Sequence, residues 1–195
     1  MDPIRLVLVD TMAFSYLGAL GQLHLLPEMG QRTGKVAVTA AVLRQLHRAG
    51  IGATVTTWVR DRKLMEVSPK HDDEVARATV KTLASKEGGL VRRNRVDVEL
   101  VEVARFRCGA VLSCERGIAK LASKRSIPCL DLLDFFCWAI HVGAIEQAQV
   151  DQATQRWRGE AASGTGAPAD LAEDFSASAA GRTALPELLR ALEDP

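Results

Sequence analysis

The sequence predicts an α/β fold: a parallel-stranded central sheet flanked by helices in three α/β/α layers. Three observations predict it. Residues 4–9 and 109–113 are short apolar runs rich in branched side chains, and the segments between and after them carry apolar residues at helical spacing. Runs without polar alternation suit strands covered on both faces, and strands alternating with helices join through right-handed crossovers into a parallel sheet. Ligands of such sheets bind beyond the carboxyl ends of the strands. Asp10 and Glu115 stand at two of these ends.

Each element has a local reason. Residues 4–9 form a strand bounded by Pro3 and Asp10, and residues 13–26 carry Leu17, Leu20, Leu23 and Leu26, with Gly18 and Gly21 dividing them into two short helices before Pro27. Thr39 opens a helix with Ala41, Val42, Leu46 and Ala49 on one face and Gly50 as its stop. Residues 53–59 read as a strand. Asp72 or Asp73 caps a helix ending near Ser85, a basic loop occupies 86–95, and a helix spans 96–107. After the strand at 109–113 come a helix with Ile118, Leu121 and Ala122 inward, a short strand at 128–130, a helix through His141 and one more over 146–158.

Length and composition bound the classes. A chain of 195 residues suits one domain of about 150 residues with an extension. Hydrophobic residues at 47% and charged residues at 25% exclude collagen, coiled coil and wholesale disorder. No apolar run reaches the length of about 18 residues that a membrane span needs, and the start MDPIRLVLVD has no basic leader, so a cytoplasmic location without membrane association is expected. Cys108, Cys114, Cys129 and Cys137 form no paired or metal-ligating pattern and read as reduced packing residues. His24, His47, His71 and His141 are scattered without zinc-ligand spacing, and Trp58, Trp138 and Trp157 read as packing residues.

The net charge of +1 divides unevenly. Residues 159–195 carry −5 and the remainder +6. Residues 1–158 therefore read as the domain, and 159–195 as a flexible acidic tail ending in a short amphipathic helix with Leu185, Leu188, Leu189 and Leu192 in a stripe. Such a helix is marginal alone; it either folds back on the body or binds a partner, and the charge contrast suggests that residues 160–195 cover a basic phosphate-binding face.

Three carboxylates occupy positions set by the architecture: Asp10 after the first strand, Asp97 at the start of a helix, and Glu115 after the next strand. Acids gathered without balancing cations call for a hard divalent ion such as Mg²⁺ or Mn²⁺, which in turn suits phosphodiester hydrolysis. Between Lys86 and Arg125 stand ten basic residues against five acids, the balance that phosphate backbone contacts need. Arg92, Arg93, Arg95 and Lys120 are the candidate nucleic-acid contacts.

In LVLVDTMAFSYL, LGALGQLHLLPEM and VDVELVEVARFRCGAVLSCERGIAKLASKRSIPCLDLLDFF the chain resembles the PIN-domain ribonucleases, in particular the small bacterial toxins of toxin/antitoxin pairs, over about residues 4–158. Glu115 follows Asp97 by 18 residues, as the family's second acid follows its helix-opening one. The resemblance implies a metal-dependent endoribonuclease acting on RNA, with Asp10, Asp97 and Glu115 as catalytic metal ligands. It further implies support from the hydroxyls of Thr11 and Ser113, Arg116 flanking the second acid, Glu99 as an auxiliary ligand, and an antitoxin, another protein or a second copy as partner.

Two departures stand out. Ser-Cys-Glu-Arg at 113–116 replaces the usual Thr-Asn-Asp-Arg, and Gln45 stands where the family carries an acid. The missing charge leaves room for Glu28, Asp72, Asp73 or Glu74 to contribute, or for an inactive PIN-like module that binds RNA or a protein. A phosphatase of the haloacid dehalogenase type also begins with a strand and Asp, but Met12 stands where its second Asp belongs.

Overall fold

The computed structural model describes residues 3–67, 73–84, 95–162 and 185–193. Strands β1 (Leu6–Val9), β2 (Val36–Thr39), β3 (Met65–Val67), β4 (Gly109–Leu112) and β5 (Cys129–Leu130) form one all-parallel sheet in the order β3-β2-β1-β4-β5. Strands β1, β2 and β4 are buried along their whole length, which is why their sequences are continuous apolar runs closing at most on a threonine. Helices cover both faces, giving the three α/β/α layers expected.

The described helices are α1 (Thr11–Ala19), α2 (Leu25–Thr33), α3 (Ala40–Arg48), α4 (Gly52–Arg60), α5 (Asp73–Ala84), α6 (Arg95–Phe106), α7 (Arg116–Lys124), α8 (Leu132–His141), α9 (Gln147–Ala162) and α10 (Leu185–Glu193). From β1 the chain moves outward through β2 to β3, then returns to the other side of β1 as β4 and β5. The connections leave β1 and β4 in opposite directions, so a crevice opens between their carboxyl ends. Phe14, Leu17, Phe135, Phe136 and Trp138 fill the core around this sheet.

Several sequence expectations change. Residues 53–59 are helical, within α4, despite three threonines and two valines that favour strands locally. Gly52 explains the tight entry: a Cβ there would lie 2.4 Å from His47 Cγ, so only glycine lets α4 turn directly off α3. Tertiary packing of Val55 then decides the helix over propensity. The sheet instead gains β2 and β3, which the sequence reading passed over because β2 is only four residues long and runs straight into Thr39, the cap of α3. Pro27 lies inside α2, in its first turn, where no intrahelical acceptor awaits the missing N–H.

The tail follows one of its two expected courses, folding back on the body, but departs in its boundary and in where it docks. Helix α9 continues to Ala162, past the boundary drawn at 158, and the rest of the linker lies outside the described residues. Helix α10 folds back on the body with Leu188, Ala191 and Leu192 buried. Ile4 N–H donates to the Ala191 carbonyl at 2.7 Å, Lys35 Nζ donates to the Leu192 carbonyl at 2.6 Å, and His141 meets Glu193. Ile4 precedes β1 and Lys35 precedes β2, so α10 docks at the amino ends of the strands, and this part of the tail does not cover the carboxyl-end face on which phosphate binding was expected. Lys35 sits on the negative end of α10, which favours the pairing beyond the burial of the leucine stripe.

Candidate active site

The register of the sheet builds the site. Val9 pairs with Leu112, so the residues that follow, Asp10 and Ser113, leave the sheet side by side at the β1–β4 crevice. Asp10 N–H donates to the Leu112 carbonyl at 3.0 Å, and Ser113 N–H donates to the Leu130 carbonyl at 3.0 Å. The Ser113 hydroxyl donates to Asp10 Oδ2 at 3.0 Å and accepts the Glu115 N–H at 3.1 Å. One side chain thus ties the acid after β1 to the turn that carries the next acid. Asp97 arrives from the first turn of α6, which packs against both β1 and β4.

Asp10, Asp97 and Glu115 act on one another electrostatically. Burial raises the Asp10 carboxyl to about 6; the Ser113 hydroxyl opposes the rise and the Glu115 charge adds to it. Burial and the charges of Glu115 and Asp10 raise Asp97 to about 7. Among the described residues, no lysine or arginine acts on either carboxyl. Asp10 is only 3% exposed, whereas Glu115 is exposed at the N-cap of α7. A cluster of this kind holds protons near neutral pH unless another cation takes their place.

The supporting residues divide. Thr11 Oγ1 donates to Gln45 Oε1, which brings the α3 amide beside the residue next to Asp10. Glu99 belongs to a different charge set: burial raises its carboxyl while Arg44 and Arg95 oppose the rise, and none of the three clustered acids figures among the causes. Arg116 and Lys120 are exposed on α7 beyond Glu115, and Arg95 is exposed at the start of α6. Arg92, Arg93 and Asp72 lie outside the described residues. Glu28 pairs with Arg32 at 2.9 Å, and neither it nor Glu74 figures among the charges acting on Asp10 or Asp97.

The donor chemistry suits a hard cation of one kind. Among the described residues no three His, Cys, Asp or Glu side chains meet closely enough to enclose an ion. Mg²⁺ needs no such cage, because it keeps several waters and is held through one or two carboxylates. Asp10 and Asp97, with Glu115 at the solvent edge, match that pattern. The thiols nearby hold their protons: burial first, then the charges of Asp131 and Asp10, push Cys114 up to about 12, and burial with Asp131, Asp134 and Asp10 does the same to Cys129. None of the four cysteines forms a disulfide.

Sequence reasoning missed Glu102. It is fully buried in α6 and accepts from Thr82 Oγ1 at 2.8 Å, Arg125 Nε at 3.1 Å and Arg105 Nη1 at 3.4 Å. The available signal was a glutamate on the inward face of an amphipathic helix, between Val101 and Val103. No family model matches the chain, and no curated protein matches it.

Proposed function

We propose that this protein is a metal-dependent ribonuclease with a PIN-like acidic site at the β1–β4 crevice, holding Mg²⁺ or Mn²⁺ through Asp10, Asp97 and Glu115. The observation that carries the reading is the mutual electrostatic influence of acids from three separate elements, which together with burial raises Asp10 and Asp97 to about 6 and 7, with no cation of the described residues acting on either. When bound, the cation lowers the pKa of a water and neutralises charge on the phosphoryl oxygens. Asp10 is held by the Ser113 hydroxyl and by its backbone bond to β4, so its carboxyl is placed at the crevice with little freedom left to lose on binding a cation. Asp97 and Glu115, less buried, adjust to the ion and its waters. Arg116 and Lys120 on α7 take the phosphate backbone as it crosses the crevice.

A second reading has its own observation. Gln45 beside Thr11 supplies an amide where a third buried carboxylate would strengthen the cation site, which favours a PIN-like module that binds RNA or a protein without cleaving it. Incubating the purified chain with structured and single-stranded RNAs in Mn²⁺ separates the two. The nuclease reading expects cleavage that EDTA stops and that Asp10→Asn removes; cleavage equal in wild type and variant, or none with RNA still bound, contradicts it.

A further inference from the structure

A cavity of about 770 Å³ lies at the opposite end of the sheet from the acids, where β4 and β5 begin, and it is lined by Ile4, Arg105, Ser123, Arg125 and Ile127 among others. Its size falls in the range of small-molecule sites and exceeds what an inorganic ion fills. Arg105 and Arg125 are among its lining residues, and both guanidinium groups bond to the same buried carboxylate. Arg125 uses Nε on Glu102 and Nη2 on Thr82 Oγ1 at 2.9 Å, and Arg105 uses Nη1 on Glu102. Among the described residues Arg125 Nη1 and Arg105 Nε and Nη2 make no hydrogen bond, and the Arg105 guanidinium lies over the Phe106 ring at 5.4 Å from its centroid.

The charge count points the same way. Among the described residues Glu102 is the sole carboxylate in an ion pair with either arginine, so two cations share one anion and one positive charge is left over. The anchoring holds the Arg125 fork in one orientation, which removes much of the entropy cost of closing it on a ligand. Ile4 and Ile127 give the cavity apolar walls, and the Ser123 hydroxyl adds a neutral polar group.

We infer that this cavity binds an organic oxyanion, a phosphomonoester or carboxylate on an apolar body, with Arg105 and Arg125 on the anionic group and Ile4 and Ile127 against the body. The site is separate from the acidic crevice and does not depend on the nuclease reading. Calorimetric or NMR titration of the full chain with inorganic phosphate, phenyl phosphate and benzoate tests it. Phenyl phosphate or benzoate binds saturably and more tightly than inorganic phosphate, and the stronger of the two identifies the anion. Arg105→Gln weakens that binding about tenfold, the loss of a hydrogen bond to a charged group. Ala119→Leu narrows the cavity without touching the Glu102 network and weakens it as well, while Asp10→Asn leaves it unchanged. Absence of saturable binding by both organic probes, binding that survives Ala119→Leu, or binding lost in Asp10→Asn overturns the assignment. Melting curves of each variant confirm that folded protein is being titrated, and Ala119→Leu keeps the test decisive if Arg105→Gln fails to fold.

Discussion

Helix α6 carries a carboxylate to each end of the sheet, and the two are treated in opposite ways. Asp97 in its first turn meets Asp10 and Glu115, and its proton is held up to about pH 7. Glu102, a turn further on, is wholly buried yet meets Arg105, Arg125 and Thr82. Burial alone therefore does not mark a functional acid. A buried acid whose charge is answered by the chain's own cations is structural, whereas buried acids that answer one another leave a charge for something outside the chain to neutralise.

The largest effect is at Glu102. Glu102→Ala leaves Arg125 largely buried without its counter-charge and lowers stability by about 3–5 kcal/mol, read from the urea midpoint. At the same end of the sheet, Leu192→Ala removes a buried anchor of α10 and costs about 2–4 kcal/mol, and limited proteolysis then cuts the linker and releases the helix. Neither change alters Mn²⁺ affinity if the two ends are independent.

At the acidic end the sign reverses. Asp10 and Asp97 hold protons more tightly folded than unfolded, so their contribution to stability is complete below the ordinary carboxylate value of 3.8 and is lost as pH rises through about 6 and 7. Asp97→Asn is therefore stabilising in metal-free protein at pH 8, by about 1 kcal/mol or 2–4 °C in Tm, and near neutral at pH 4. The smallest effect on stability is at Lys120. Lys120→Ala changes it by less than about 0.5 kcal/mol but lowers the salt slope of RNA binding by about 1.

The acidic site was more legible in the sequence than the sheet that holds it. Asp10 and Glu115 were visible because each ends a buried run, and their meeting follows from the parallel pairing of those runs. Strands β2 and β3 were not visible, since four and three residues give too short a pattern and their identity comes from pairing with β1. Residues 53–59 show the converse, a strand-like composition folded as a helix because Gly52 and Val55 pack it against α3. Gln45 was noticed as a missing acid, but its hydrogen bond to Thr11 depends on the approach of α3 to α1. The resting place of α10 was not readable from its leucine stripe, which states that a face is buried and not where.

Calorimetric titration of the metal-free protein with Mn²⁺ at pH 6.5, in buffers of differing ionisation enthalpy, decides whether the acidic crevice takes a cation, because an ion entering it must displace the protons that Asp10 and Asp97 hold. A cation site there gives saturable binding with about one proton released at pH 6.5, release that fades as the pH passes well above 7, and loss of both binding and release in Asp10→Asn. Binding without proton release, or binding unchanged in Asp10→Asn, would contradict it.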